Sequence, residues 1–478
     1  MKRYFLVILF ALVLITPFIL RVVLGDNKSA PPETNAVPLV IITSHNEGVR
    51  REFSDAFRHW HKLVYKQDVD VDFISLGTGD IVNLLKDRAE VLYPNLHTYQ
   101  IDIAWGGGDY AFDHDLKPYL QGGVQLDPVI LAAAFPKPAL NGLPLYDAKN
   151  NPPHWWGAAL SSFGITYNTN VINHLRQDHP NLPEIKTWND LSAPGYFGWL
   201  VLADPGPSAS AKQAFSAIVE KAMADASARG ESEDIGWARG MGEVRKICAN
   251  ARSFSSASSL VPGMIASGDA AAGMTIDYYG RSEVEAIGGN RLGYVQPAGA
   301  TVINPDPIAM IQGAEHKEVA KQFIEFVLSR QGQLLWNTRA GAPYGPQSTN
   351  LRRLPIMPSV YDDMSNFTDK DNPYKSSGGF NKSDAREQTF GILGELIEDS
   401  CINCLPELQQ TRKEILKSKN ARELDARLGM FPFDQKEAIR RGKLFKAAAP
   451  VDQLALKRAW TEEFKAEYAM IRTEAELK

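Results

Sequence analysis

Hydrophobic residues in the first third of this chain switch repeatedly between two periods, and that alternation restricts the fold more than any other feature. A short apolar run at 39–42 ends in Thr43-Ser44-His45-Asn46, and Val49, Phe53, Phe57 and Trp60 then recur at helical spacing. Val69, Val71 and Phe73 alternate with Asp70 and Asp72 as a half-buried strand does. Gly77-Thr78-Gly79-Asp80 then turns the chain into a second helix over 81–89, and a third strand, 101–105, ends in Gly106-Gly107-Gly108-Asp109. Strands that alternate with helices pack as a mostly parallel, doubly wound α/β sheet. In such sheets ligands sit beyond the carboxyl ends of the strands. The loops 44–47, 77–80 and 106–109 therefore point at one cleft.

The chain has 478 residues, too many for one core, and about two to four domains follow. A net charge of −5 supplies no basic face for nucleic acid. Three cysteines, Cys248, Cys401 and Cys404, cannot build a disulfide scaffold. Lys2 and Arg3 precede an apolar run over 4–20, close to the ~17-residue lower limit for crossing a bilayer. No small-x-small cleavage site follows it cleanly, and no cysteine stands there to accept a lipid. Residues 1–25 are therefore expected to be an export signal, cleaved or, by preference, retained as a membrane anchor with a cytoplasmic amino terminus. Either way the rest of the chain works on the periplasmic or extracellular side. Residues 26–36 form a polar, proline-containing linker.

A second β-rich region covers 156–168, and a strand is expected over 198–202. Asp204-Pro205-Gly206-Pro207-Ser208-Ala209-Ser210-Ala211 then introduces a long helix whose first N–H groups suit an anion. The strand ending at Ile276 runs into Asp277-Tyr278-Tyr279-Gly280-Arg281. Neighbouring side chains on a regular strand point to opposite faces, so two tyrosines serve one site only where the strand ends. Gly280 is consistent with such an ending. The plain alternative is one tyrosine in a core and the other half exposed. A further apolar segment lies at 302–310 and a helix at 319–328. Beyond them a polar surface loop is expected over 362–382, then helices over 385–396, 406–416, 421–428, 435–447 and 451–474. Cys401 and Cys404 read as a short structural disulfide or an inert pair, and no partner cluster for zinc lies nearby. His59 and His61 read as solvated.

The order of several phrases carries a family resemblance. Phe163-Gly164-Ile165-Thr166-Tyr167-Asn168, Thr187-Trp188-Asn189-Asp190-Leu191, Ile265-Ala266-Ser267-Gly268-Asp269-Ala270-Ala271 and Ala320-Lys321-Gln322-Phe323 follow the strand-then-helix opening and Ile101-Asp102-Ile103. Residues 37–344 thereby resemble a type 2 periplasmic (extracellular) solute-binding protein of an ABC importer. The resemblance implies a two-lobed α/β clamshell that the chain crosses twice. Lobe 1 would comprise 37–155 plus 303–353, lobe 2 would comprise 156–302, and 354–478 would be a loop and helical extension. It also implies transport without covalent chemistry, a monomer with no resident cofactor, a small solute or metal ion as cargo, and an ABC permease and ATPase as partners.

One branch of that family binds ferric ion through a histidine in the first loop, an acidic residue after the second strand and twin tyrosines in the second lobe. The matching positions are His45, Asp80, Tyr278 and Tyr279, and Fe³⁺ would ionise phenols whose free pKa is about 10. His45 could equally cap the helix beside it, and Asp80 is a good N-cap for 81–89. The triple glycine departs from the iron pattern, because Gly107 and Gly108 would bring bare amides close to a ligand. With Ser44, Asp109, Ser208, Ser210 and Arg281 they point to a small organic anion: a phosphate ester, phosphonate or carboxylate. Ferric ion, with or without a bound anion, is the leading expectation and the organic anion its alternative. A membrane-tethered enzyme or sensor reusing the clamshell is a third reading. No Gly-x-Ser-x-Gly, His-Glu-x-x-His or P-loop motif supports it.

Overall fold

A computed structural model describes residues 35–375 and 384–476. The expected membrane anchor and nearly all of the expected linker lie outside the described residues, among which no helix is long and apolar enough to cross a membrane. Strand β1 (Val37–Thr43) buries Leu39, Ile41 and Ile42 and feeds helix α1 (Glu47–Tyr65). The cap of α1 is Asn46, whose side chain accepts from Val49 N at 3.0 Å, so the expectation that His45 caps it is corrected by one residue. Strand β2 (Val69–Ser75) leads into α2 (Thr78–Val91), and β3 (Ile103–Trp105) leads through the triple glycine into α3 (Asp109–Asp113). His59 is exposed, but His61 is buried between Gln67 O at 2.9 Å and Gln322 Oε1 at 2.8 Å, not solvated.

The chain next lays down β4 (Trp156–Ser161) and β5 (Phe163–Asn168), and these belong to different sheets. Ser162 is the crossing point, several residues later than the expected division at 155/156. Both strands are buried along nearly their whole length, so their apolar pattern is continuous and hides the break. Lobe 2 continues with β6 (Leu200–Ala203), α4 (Ala209–Ala228), α5 (Glu233–Ala249), β7 (Ala251–Ser255), β8 (Ala272–Ile276), α6 (Asp277–Ile287) and β9 (Leu292–Val295). The chain returns to lobe 1 through β10 (Asn304–Met310), α7 (Lys317–Leu328) and β11 (Leu354–Pro355). The first sheet has the order β11-β4-β10-β3-β1-β2 and the second β9-β5-β8-β6-β7. Parallel pairs at β1–β2, β1–β3, β6–β7 and β6–β8 sit beside antiparallel ones, so each sheet is mixed. The fold is a two-lobed α/β clamshell.

Residues expected to open the extension stay with lobe 1. β11 pairs with β4, and Met357, Val360, Tyr361 and Phe367 are buried in a small core beside Ala134. Part of the expected surface loop is therefore packed. The helical extension comprises α8 (Asp384–Ile397), α9 (Leu405–Lys417), α10 (Ala421–Leu428), α11 (Gln435–Ala447) and α12 (Pro450–Glu476). Its Ile392, Leu393, Leu408, Phe464 and Tyr468 share one core with Met241, Val244 and Ile247 of α5. Cys401 and Cys404 are free and buried, as is Cys248. Of the two readings of Cys401 and Cys404, a disulfide or an inert pair, the disulfide is not formed; Cys404 Sγ donates to Asp399 O at 3.2 Å.

Candidate functional site

A cleft of about 340 Å³ lies between the lobes, and the strand-end loops of both sheets wall it. Lobe 1 contributes Ser44, His45, Thr78, Gly107, Gly108 and Asp306; lobe 2 contributes Ser208, Ser210, Ser258, Tyr278 and Tyr279. The lobes meet at its mouth, where a Cβ added to Gly77 would lie 3.6 Å from Pro207 O.

His45 follows β1 and is 2% exposed, its ring edge-on to Trp105 at 4.5 Å. Its Nδ1 lies 3.1 Å from Arg353 Nη1. A guanidinium can only donate, so Nδ1 accepts and the ring proton sits on Nε2. That Nε2 has no hydrogen-bond partner; Asp306 Oδ2 is 3.8 Å away. Burial drives the imidazole pKa down to about 3, Arg353 pushes the same way, and Asp306 opposes them only in part. His45 is neutral, and its Nε2–H is buried without a partner.

Arg353 is the hub of this wall. It is buried, donates Nη2 to Ser161 Oγ at 2.6 Å, pairs with Asp306 Oδ2 at 2.7 Å and stands 4.5 Å over the Tyr278 ring. Asp306 Oδ1 accepts from Gly107 N at 2.9 Å and Gly108 N at 3.3 Å. Burial alone would raise the Asp306 pKa, but the Arg353 guanidinium and the Gly107 N–H outweigh it and hold the carboxyl below its usual range. The glycine amides expected to face a ligand are thus bonded within the protein, and Gly106 N also donates inward, to Pro307 O at 2.7 Å. Glycine is still required in this loop. Gly106, Gly107 and Gly108 have φ of +86°, +113° and +86°, and a Cβ on Gly107 would lie 3.0 Å from the Thr78 side chain.

The tyrosine pair reaches the cleft by a different route from the one expected. β8 ends at Ile276, and Tyr278 and Tyr279 stand in the first turn of α6 rather than at a strand end. Gly280 does not end the strand; a Cβ there would lie 2.6 Å from Thr166 Oγ1, so it lets α6 close onto the sheet. The rings lie 4.2 Å apart, and burial raises both pKa values. Asp277 fixes the turn by accepting from Ser162 N at 3.0 Å and Ser162 Oγ at 2.9 Å. Across the cleft Ser208 caps the twenty-residue α4, its Oγ accepting from Ala211 N at 3.3 Å, and Ser210 lines the wall.

Three expected residues stand elsewhere. Asp80 is exposed in the first turn of α2, outside the cleft lining, and the cap of α2 is Gly77, not Asp80. Asp109 is buried and does not line the cleft; its Oδ1 accepts from Asn304 Nδ2 at 3.3 Å. Arg281 pairs with Asp371 at 2.7 Å and Asp369 at 3.4 Å in a separate cavity of about 1010 Å³. Of the four residues expected around ferric ion, His45, Tyr278 and Tyr279 share the cleft and Asp80 does not. His45 also has no free lone pair to offer. Among the described residues no group of three or more His, Cys, Asp or Glu side chains is arranged to hold a metal ion. Arg353, Asp306 and Asn304 escaped sequence reading, because their partners lie up to 308 residues away along the chain.

Residues 67–364 match the family of bacterial extracellular solute-binding proteins, and the chain belongs to that family. Its members work outside the cytoplasmic membrane and hand a small solute to an ABC permease. Within this class the chain is similar to the phosphoglycerate transport regulatory protein PgtC of Salmonella typhimurium, 27% identical over 198 residues, 41% of this chain and 44% of the relative. It thus spans less than half the length of the curated relative it matches. Among solved structures it is similar to the periplasmic binding protein P5PA, with TM-score 0.54, 17% identity, and coverage of 75% of this chain and 94% of that one. The periplasmic binding protein AfuA from Actinobacillus pleuropneumoniae, with exogenous fructose-6-phosphate bound, gives TM-score 0.52 and 18% identity over 76% and 98% of the two chains. The apo ferric ion-binding protein A of Pasteurella haemolytica gives TM-score 0.52 and 14% identity over the same shares, 76% and 98%. At such identities the likeness speaks to the fold alone.

Proposed function

We propose that the cleft takes up a small hydroxylated organic anion, foremost a phosphate ester, for delivery to an ABC permease. One observation carries the reading: two buried polar atoms of the lining residues, the His45 Nε2–H donor and the Asn304 Oδ1 acceptor, have no partner in the protein. Leaving such a group unsatisfied costs about 1–3 kcal/mol, which a ligand carrying both acceptors and hydroxyls recovers. The amino-terminal turns of α2 and α4 meet at the mouth, with Thr78, Ser208 and Ser210 beside them, and their positive ends suit a phosphoryl or carboxylate group. Asp306 is kept ionised and repels that group, so it suits the hydroxyl-bearing end. The names of PgtC and of fructose-6-phosphate-bound AfuA agree with this ligand class.

Ferric ion is the second reading, and the two adjoining phenols, 4.2 Å apart, favour it. Against it stand the protonated His45 Nε2, the distant Asp80 and the Arg353 guanidinium over Tyr278. The test is a melting screen with phosphoglycerates, hexose phosphates, their dephosphorylated counterparts and ferric citrate. A phosphate ester at about 100 times its Kd stabilises by ~2.7 kcal/mol. The gain shrinks in Ser210→Ala and His45→Phe. Indifference to every ester, with a tyrosinate colour on adding Fe³⁺ that Tyr278→Phe and Tyr279→Phe abolish, would reverse the assignment.

A further inference from the structure

The helical extension reaches both sides of the cleft, although its core belongs to lobe 2. Ile392, Leu393 and Leu396 of α8 are buried in the lobe 2 core. Phe390 of the same helix packs on Tyr110 of α3 in lobe 1, ring centroids 4.7 Å apart. Tyr110 follows the triple-glycine loop by two residues. Gly391 lets the helix approach, since a Cβ there would lie 2.7 Å from Tyr110 Oη. One turn on, a Cβ at Gly394 would lie 3.1 Å from Lys212 Cε and 3.3 Å from Pro205 O. Glu398, in the π-helical turn after α8 (Glu398–Ile402), packs directly against Gly206 and is ion-paired with Lys457 of α12. Asp204 beside it accepts from Gly206 N at 2.8 Å, which fixes the turn that delivers Ser208 and Ser210. A side chamber of about 90 Å³ shares Thr78, Gly107, Gly108, Pro207, Ala209 and Gln213 with the main cleft, and Phe390 and Lys212 form part of its wall.

We propose that the carboxyl-terminal extension is a working part of the solute cleft: α8 clasps lobe 1 to the serine-bearing loop of lobe 2, with Phe390 and Glu398 as positioning residues. The Phe390–Tyr110 contact crosses from one lobe to the other, so opening the clamshell breaks it and the contact favours the closed arrangement. Glu398 acts within lobe 2 by backing the Asp204–Ser208 turn. This role rests on the cleft being the solute site, and its test needs no solute.

Spin labels on L96C in lobe 1 and L260C in lobe 2, both exposed positions, report the inter-lobe distance in the full chain, whose native cysteines are buried. Phe390→Ala should lengthen and broaden the distance distribution, Tyr110→Ala should reproduce that change from the other lobe, and Phe390→Tyr should restore it. Affinity for a bound phosphate ester should fall about three- to tenfold in the two alanine variants, the size expected for losing one aromatic pair. Should Phe390→Ala fail to fold, Tyr110→Ala decides, because it leaves the packing of the extension on lobe 2 in place. Folded variants with the wild-type distance distribution would overturn the clasp. A lengthened distance in a protein that binds no phosphate ester would uphold the clasp and overturn the ligand class instead.

Discussion

At the scale of single residues the cleft is governed by how Arg353 distributes its donors. One guanidinium fixes the tautomer of His45, keeps Asp306 ionised and lies over Tyr278, so three cleft groups are set by a residue sequence reading left out. The histidine gives a pH signature. In the folded chain its pKa is about 3, against 6.5 for a free imidazole. Above pH 6.5 neither state binds the proton, and His45 costs nothing. Between 6.5 and about 3 only the unfolded chain takes the proton, so stability falls as the solution is acidified. The slope reaches about 1.4 kcal/mol per pH unit for a single group. Urea midpoints across that window should therefore fall less steeply in His45→Gln than in the wild type; parallel curves would mean that His45 is not buried as described. Ser44, His45, Ser208, Ser210 and the tyrosines were legible because each sits at an element end that periodicity marks. Asp80 and Arg281 misled because position in sequence does not say which face of a helix turns to the cleft.

At the scale of elements, α6 shows how local signals mislead. A run of small residues and Met274 ending in two tyrosines and a glycine reads as a strand and its turn, yet the chain coils into a helix at Asp277. The glycine is there for packing against β5 and β9, where Thr166 and the Tyr294 ring leave no room for a methyl group. Gly280→Ala should cost about 1–3 kcal/mol by overpacking and weaken solute binding, since Tyr278 and Tyr279 ride on the same turn. Chemical denaturation and the melting screen measure the two effects; an unchanged stability would mean that α6 stands off the sheet. Strongly periodic elements were easier. The helices at 421–428 and 435–447 appear with the expected bounds, as α10 (Ala421–Leu428) and α11 (Gln435–Ala447). The break between β4 and β5 was not readable, because burial on both faces removes the alternation that would mark it.

At the scale of the whole molecule, lobe 2 and the extension form one hydrophobic core, so they should unfold together. Arg245 of α5 ties them: it is fully buried, donates to Leu428 O and Met430 O at 2.8 Å each and pairs with Glu467 of α12 at 2.8 Å. Arg245→Ala should destabilise by roughly 3–5 kcal/mol, since it strips Glu467 and two carbonyls of their partner. Calorimetry should show lobe 2 and the extension melting in one transition that moves down as a unit; a separate extension transition would contradict the shared core. The alternation of strand and helix determined an α/β protein and the loops that face its cleft, because backbone period and turn chemistry are local properties written in neighbouring residues; the family resemblance implied its two lobes. Only the tertiary structure decided that the triple glycine serves Asp306, that Arg353 commands the wall and that the extension packs on lobe 1 through Phe390 as well as on lobe 2. Those depend on contacts between residues far apart in the chain, which no local pattern encodes.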